Sequence, residues 1–177
     1  MKQSIALLSC CAPCSCAIIK DLHDSGTNFT VLFFNSNIYP ESEYRHRLSE
    51  QITFCKNLGI ECVSLNYDHE SWLRSVQGLE SEPEQGKRCT ECFKHRFKLG
   101  VNWARLNGFK AIASAFGVSR HKSQSQVDKA FYSVSPNYGP NDKQLTYVRL
   151  PSNENLMLNL SKDMYRQTYC GCPFSKK

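Results

Sequence analysis

The sequence has no long apolar run, no internal repeat and no low-complexity tract. Its longest nearly apolar stretch, residues 5–13, is far shorter than the roughly 18 residues that a membrane-spanning helix needs. With 41% hydrophobic and 21% charged residues, the composition is not that of a disordered chain either. We therefore expect a folded protein without a transmembrane helix, long enough at 177 residues to bury its own core.

Cysteine is the residue that the sequence has in excess, with ten copies. Small secreted proteins use many cysteines as disulfides, but they are usually shorter than about 80 residues. In a reducing cytosol, clustered cysteines are more often metal ligands or catalytic thiols. A lipoprotein signal ending at Cys10 is disfavoured, because the apolar segment before it has about five residues where a signal needs about 7 to 15. The sequence thus predicts a cytoplasmic protein whose cysteines carry out chemistry.

Short β-rich runs alternate with amphipathic segments along the chain. Strands are predicted at residues 4–9, 29–34, 60–67 and 109–116, and helices after Pro13 and at residues 41–58, 69–76, 90–107 and 123–132. The predicted buried stripe of the helix at 41–58 consists of Leu48, Ile52, Cys55 and Leu58. Residues 133–155 are predicted to be a long loop, because they are rich in proline and asparagine. This alternation predicts one three-layer α/β domain over residues 1–177 with a mainly parallel sheet.

The first cysteine motif, formed by Cys10, Cys11 and Cys14, lies where the first strand passes into the first helix. Open α/β sheets place their sites at the carboxyl ends of strands. A helix N-terminus at that point lowers the pKa of a nearby thiol and favours the thiolate, the nucleophilic and metal-binding form. A tightly packed turn of small residues is the simpler alternative. Cys16, on the helix itself, is predicted to be buried packing rather than a ligand.

The second motif is the CxxC pair of Cys89 and Cys92, at the start of the helix at 90–107. This spacing puts both sulfurs on one side of the first helical turn, where they can hold one metal. Two cysteine groups that meet at one sheet edge supply four thiolates, and four thiolates fit a tetrahedral zinc or a [4Fe–4S] cluster equally well. The donor count therefore predicts a metal centre of either kind.

The third motif is Cys170-Gly171-Cys172, close to the end of the chain. Two cysteines separated by one glycine can ligate a metal together or close a very small, strained disulfide ring. Strained disulfides are readily reduced and tend to be the catalytic ones, so we favour a redox role over a structural staple. Cys55 and Cys62 lie on predicted apolar faces and are expected to be small core residues.

Positive charge is concentrated around the second motif. Residues 84–110 hold seven Lys and Arg against two Glu, a net charge of +5 in a chain whose total is +6. A cationic helix face beside a metal site is expected for a phosphate-rich partner, although an ordinary solvated helix face has the same pattern. The candidate nucleic-acid contacts are Lys87, Arg88, Lys94, Lys98, Arg120 and Lys122.

The segments CCAPC at 10–14, GKRCTECF at 86–93 and YRQTYCGCPFS at 165–175 together resemble the epoxyqueuosine reductase family of the QueH type. Residues 34–44, 67–72 and 119–123 are also similar to that family, so the resemblance covers nearly the whole chain. It implies a nucleotide-hydrolase-like fold of the HUP or PP-loop kind and a [4Fe–4S] cluster. The implied reaction is the reduction of epoxyqueuosine to queuosine in the anticodon loop of tRNA, the last step of queuosine biosynthesis.

The resemblance also implies roles for single residues. The implied cluster ligands are Cys10, Cys11, Cys89 and Cys92, with either Cys14 or the Cys170 and Cys172 pair as an alternative ligand or as a donor to an additional mononuclear iron beside the cluster. Cys170 and Cys172 would be the redox-active pair. This sequence departs from the family pattern at Leu8, where a histidine commonly stands, and at residues 143–155, which lack an expected basic, glycine-containing stretch.

Removal of the epoxide oxygen as water needs two electrons and two protons, whereas one cluster delivers one electron at a time. A dithiol pair or a second metal would hold the second reducing equivalent, and an iron would bind the oxygen as a Lewis acid. Residue type makes Asp68, His121, Lys122 and Tyr169 candidate proton donors. The expected partners are tRNA and an unidentified electron donor, and no membrane is expected.

Two other functions fit parts of the pattern. A zinc-stabilised RNA-binding module would use Cys11, Cys14, Cys89 and Cys92 as structural ligands and catalyse nothing. A general thiol-disulfide oxidoreductase would use the Cys170 and Cys172 pair alone.

Overall fold

Parallel strands form the centre of the computed structural model, which describes residues 4–134 and 145–176. The strands within these residues are β1 (Ile5–Leu8), β2 (Phe29–Phe33), β3 (Cys62–Ser64), β4 (Ala111–Ser114) and β5 (Thr146–Tyr147). They pair in the order β3–β2–β1–β4–β5, and every pair is parallel. Pro136, Pro140 and Lys177 lie outside the described residues.

Helices connect and cover these strands. They are α1 (Ala12–Asp24), α2 (Glu41–Asn57), α3 (His69–Ser75), α4 (Lys87–Leu106), α5 (Gln124–Val134) and α6 (Glu154–Leu160), followed by a short 3-10 helix at Pro173–Ser175. None of the described helices is both long enough and apolar enough to cross a membrane. The predicted α/β class with a mainly parallel sheet is confirmed.

The alternation of side chains along β1 separates the two helical layers. Ala6 and Leu8 point to one face, where they join a core built with α4 and α5. Ile5 and Leu7 point to the other face, where they pack with α1 and α2. Both faces of the strand are buried, as is typical of a covered parallel sheet.

The strand order reverses between β1 and β4. The chain proceeds from β1 to β2 on one side, whereas β4 adds to the other side of β1, with Leu8 level with both Leu32 and Ser114. Connections that leave neighbouring strands in opposite directions open a crevice at their carboxyl ends. The segments that follow β1 and β4 therefore face each other across this crevice, and the Cys10 sulfur lies 3.8 Å from the Ala115 carbonyl oxygen.

Three details differ from the sequence prediction. Helix α4 begins at Lys87, three residues earlier than expected, with Gly86 as its N-cap. The predicted loop at 133–155 contains β5 and the first two residues of α6 in its described part, which was missed because β5 has two residues and sits among prolines and asparagines. On the predicted stripe of α2, Cys55 is buried and Leu48 and Leu58 pack partly buried against the core, but Ile52 is 42% exposed, and the buried face also carries Tyr44, Arg47 and Gln51.

Substitution of Phe97 tests the packing of the core under α4. Its ring is fully buried and lies 5.4 Å from the Phe116 ring and 5.3 Å from the Phe131 ring. We expect Phe97→Ala to lower the free energy of unfolding by about 3 to 5 kcal/mol, because the cavity cannot collapse in a packed core. Leu106→Ala on the same helix is the control, since Leu106 is 79% exposed and should change stability by no more than about 0.5 kcal/mol. Equal midpoints in urea unfolding of the two variants would contradict this packing.

Candidate active site

A cavity of about 490 Å³ opens at the carboxyl ends of β1 and β4. The cysteines that line it come from all three sequence motifs and are Cys10, Cys14, Cys89, Cys92, Cys170 and Cys172. Its other walls include Trp72, Phe93, Arg96, Phe116, Lys122 and Gln167. The structure therefore brings together six of the ten cysteines, which are separated by up to 162 positions in the sequence.

The first motif forms a compact group of thiols. The sulfurs of Cys10, Cys11 and Cys14 all lie within 4.8 Å of one another, and those of Cys10 and Cys11 are 4.0 Å apart. Cys11 is the N-cap of α1 and is almost fully buried, so it stands behind the cavity wall formed by Cys10 and Cys14. Three soft donors this close together are a metal-binding arrangement.

A buried polar network fixes the turn that carries these thiols. The Ser9 hydroxyl lies 2.6 Å from the Gln51 side-chain oxygen, and the Ser15 hydroxyl donates to the same oxygen at 3.1 Å. The Asn35 amide donates to the Ser9 carbonyl at 2.8 Å. Gln51 comes from α2 and Asn35 from the end of β2, so two neighbouring elements hold the turn between β1 and α1 in place.

The three thiols of this motif have unequal proton affinities. Hydrogen bonds from Cys11 and Cys14 hold the pKa of Cys10 well below its ordinary value. The ionised Cys10 in turn raises the pKa of Cys11 to about 12 and raises that of Cys14 further. One thiolate is therefore stabilised by two neighbouring thiols, and a bound metal would be needed to deprotonate all three.

The second motif lies in the first two turns of α4. Cys89 is half-buried and accepts the Gln85 backbone N–H at 3.3 Å, whereas Cys92 is buried. Burial raises the pKa of Cys92 against the opposing influence of Arg96, the Trp72 indole and Lys122. The early start of α4 gives the pair its helical spacing, so both sulfurs face the cavity.

The third motif returns to the cavity from the end of the chain because α2 holds it. The buried Arg47 guanidinium donates to the Cys170 carbonyl at 3.1 Å and to the Tyr169 carbonyl at 3.2 Å, and it pairs with Glu43 at 2.7 Å. The Gly171 carbonyl accepts the Tyr39 N–H at 2.9 Å. Gly171 has a φ of +111°, and a β-carbon there would meet Ile38 at 2.7 Å, so this position requires glycine.

Cys170 and Cys172 differ in acidity. A hydrogen bond from Cys172, with support from Lys122 and from the Ser175 hydroxyl 3.1 Å away, lowers the pKa of Cys170 to about 4. The pKa of Cys172 is raised by the same contact and by burial. The pair thus consists of one thiolate and one thiol, the combination from which a disulfide forms when two electrons are removed.

The predicted basic residues occupy different positions. Lys87, Lys98 and Arg120 are exposed, and Lys94 pairs with Glu91 at 2.8 Å. Lys122 lines the cavity, where burial lowers its pKa but the sulfurs of Cys170, Cys89 and Cys92 outweigh that effect and raise it. Arg88 is buried, and its guanidinium donates to the carbonyls of residues 79, 80 and 82, which fixes the loop before α4.

Some of the other predicted residues line the cavity and others do not. His121 and Tyr169 line the cavity, whereas the Asp68 carboxylate caps α3 by accepting the Ser71 N–H at 2.9 Å. Cys16 and Cys55 are fully buried, as expected for packing residues, and Cys62 is partly buried beside Cys55.

Sequence reasoning missed three residues that support the site, namely Arg47, Gln51 and Gln167. The Gln167 amide donates to the Cys11 sulfur at 3.0 Å. Arg47, Gln51 and Cys55 follow one another at intervals of four positions, so they lie on one face of α2. Polar residues on the same helical face as a predicted core cysteine were the signal that could have revealed Arg47 and Gln51.

The sequence model of the family described as epoxyqueuosine reductase QueH matches residues 5–177. The chain belongs to this family. It is 37% identical to the epoxyqueuosine reductase QueH of Histophilus somni over 175 residues, which are 98% of this chain and 72% of that protein. It is also 37% identical to the QueH of Acinetobacter baylyi over 176 residues, covering 98% of this chain and 80% of that one.

Two solved structures share the fold. The U34-tRNA thiolase NcsA of Methanococcus maripaludis, determined with its [4Fe–4S] cluster, superposes with a TM-score of 0.66 at 15% identity, over 99% of this chain and 62% of that one. A protein described as a predicted subunit of a tRNA methyltransferase from Methanocaldococcus jannaschii gives 0.57 at 14% identity, over 93% of this chain and 76% of that one. At such identities the likeness concerns the fold alone.

Arg47 tests how this QueH family member holds its third cysteine motif. We expect Arg47→Met to lower the free energy of unfolding by about 3 kcal/mol, because it leaves Glu43 and two carbonyls without their buried partner. Amide hydrogen exchange at residues 169–172 should accelerate in the same variant.

Arg45→Met is the matched control. Arg45 also lies on α2 and pairs with a glutamate four residues earlier, Glu41 at 2.6 Å, but its side chain is 73% exposed. It should leave both readouts unchanged. Equal exchange at 169–172 in the two variants would show that Arg47 does not anchor the motif.

Proposed function

We propose that this chain reduces epoxyqueuosine to queuosine in tRNA, the reaction for which its family is named, and thereby completes queuosine biosynthesis. The observation that supports this most strongly is that three cysteine motifs, distant in sequence, line one cavity at the topological switch point of the sheet. We treat residues 1–177 as one reductase domain.

The donor set fits an iron–sulfur cluster. A structural zinc site is closed and takes four ligands, whereas here six thiols line an open cavity and a seventh, Cys11, lies directly behind it. We propose that Cys10, Cys11, Cys89 and Cys92 hold a [4Fe–4S] cluster, which when bound would supply electrons one at a time. Cys14 then remains beside the ligands, where it is an alternative ligand or a donor to an additional mononuclear iron.

Cys170 and Cys172 are the proposed redox pair. Reduction of an epoxide to an alkene breaks both C–O bonds, forms the C=C bond and releases water, which consumes two electrons and two protons. The Cys170 thiolate and the Cys172 thiol release two electrons and one proton when their S–S bond forms. The pair therefore stores both electrons that one turnover needs, and an external electron donor must return the disulfide to the dithiol.

The second proton needs a donor at the cavity, and Lys122 is the residue best placed for it. The neighbouring cysteine sulfurs raise the pKa of its ammonium group despite its burial. His121 and Tyr169 also line the cavity and remain candidates, whereas Asp68 does not line it. A cationic group close to the leaving oxygen would also stabilise the charge that develops on that oxygen.

A basic surface formed by α4 and Arg120 is the proposed tRNA contact. Lys87, Lys94 and Lys98 are spaced by seven and four positions on α4, so they lie on one face of that helix. Arg120 is exposed near the cavity residue Lys122. Such cations bind phosphates without reading sequence, while the cavity would select the modified base after it leaves the stack. A tRNA substrate would also favour a cytoplasmic location.

Neither rival function accounts for the whole cavity. An RNA-binding zinc module needs neither an open cavity nor the thiolate at Cys170. A general thiol oxidoreductase that uses Cys170 and Cys172 alone gives no role to the four other cysteines that line the same wall.

A Cys170→Ser variant tests the proposed reaction. With epoxyqueuosine-containing tRNA as substrate and dithionite as reductant, we expect turnover to fall by more than about 100-fold, because the variant can no longer release two electrons by forming the Cys170–Cys172 disulfide. The measurement is the ratio of queuosine to epoxyqueuosine in nucleosides released from the tRNA. Iron content should be unchanged, since Cys170 is not among the proposed ligands.

Cys62→Ser serves as the control, because Cys62 lies on β3 and does not line the cavity. It should retain full turnover. A Cys170→Ser protein that produces queuosine at the rate of the Cys62→Ser protein would reject the dithiol step, and a wild-type protein that leaves epoxyqueuosine intact would reject the proposed function.

A further inference from the structure

Trp72 has a buried polar atom without a hydrogen-bond partner. The side chain is completely inaccessible to solvent, and its indole nitrogen has no hydrogen-bond partner of ordinary geometry among the described residues, although it faces the Cys92 sulfur closely enough to lower the pKa of that thiol. A buried N–H without an acceptor lowers the stability of the fold. Such a group in a native protein calls for an acceptor that becomes available in the functional state.

Trp72 is held against the cysteines by its neighbours. Its ring stacks between His69, with centroids 5.3 Å apart, and Phe174, with centroids 6.2 Å apart. It packs in one cluster with Cys92 and Cys172 and forms part of the cavity wall. The stack prevents the indole from turning toward solvent, so its N–H stays on the cysteine side.

Two of the other proposed ligand sulfurs already accept a hydrogen bond from an N–H group. The Cys11 sulfur accepts the Gln167 amide at 3.0 Å, and the Cys89 sulfur accepts the Gln85 backbone N–H at 3.3 Å. Gln85 has a φ of +64°, a conformation that is unfavourable for a residue other than glycine. The strained backbone at Gln85 and the unpaired N–H of Trp72 both lower the stability of the fold. In each case an N–H lies beside a cysteine sulfur, that of Cys89 for Gln85 and that of Cys92 for Trp72.

We propose that Trp72 is a positioning residue whose indole N–H donates to the Cys92 sulfur when Cys92 is bound as a thiolate to the cluster. This inference rests on the proposed ligand set. Hydrogen bonds to cysteine sulfurs stabilise the more negative, reduced state of an iron–sulfur cluster and raise its reduction potential. Trp72 thus sets how readily the centre accepts an electron.

The test is the midpoint potential of the cluster in anaerobically purified protein, titrated with dithionite and followed by visible absorbance and electron paramagnetic resonance. We expect Trp72→Phe to shift the equilibrium constant for one-electron reduction about tenfold toward the oxidised state, about 59 mV more negative. A second variant carries benzothienylalanine at position 72, which keeps the fused-ring shape and lacks only the N–H, and it should show the same shift.

Trp103→Phe is the matched control, because Trp103 packs against Phe34 and Phe109 and does not line the cavity. It should leave the potential unchanged. An unchanged potential in the benzothienylalanine protein, with the cluster present, would overturn the role of Trp72 alone. A wild-type protein that holds no iron would overturn the proposed cofactor and this inference together.

Discussion

Parallel pairing of β1 with both β2 and β4 is the constraint on which the site depends. Because all three strands run in the same direction, their carboxyl ends lie at one edge, and the reversal of strand order between β1 and β4 opens that edge. Cys10 and Cys11 follow β1 after Ser9, and Ala115 follows β4 directly. The core that surrounds these strands therefore fixes the first thiols of the cavity and the wall that faces them.

Buried polar contacts, and not strand pairing, hold the remaining cysteines at this edge of the sheet. Arg88 fixes the loop that precedes Cys89, and Arg47 fastens the backbone at Cys170 to α2. Each buried guanidinium satisfies carbonyls that would otherwise lack a partner in a dry environment. The resulting cavity combines soft sulfur donors with the cation of Lys122, which suits a reaction that handles electrons and protons together.

Much of this arrangement was predictable from the sequence. The strand-to-helix passage at Cys10, the CxxC spacing of Cys89 and Cys92 and the α/β class follow from local patterns and were confirmed as structure, while the ligand and redox roles remain proposals. On α2, Cys55 was predicted correctly as a buried residue but Ile52 was not, because hydrophobic periodicity favours Ile52 where the fold buries Arg47. The role of Trp72 was also invisible, since an unpaired indole N–H is a property of three-dimensional packing and leaves no mark in periodicity.

The most direct test of the iron–sulfur site is the metal content of the protein purified without oxygen. The proposed site predicts a brown protein that contains both iron and acid-labile sulfide, with iron in excess of sulfide if the additional mononuclear iron is bound, and Cys89→Ser should lose both while Cys62→Ser keeps both. A colourless protein that contains zinc and no sulfide would contradict the redox site and favour a structural metal.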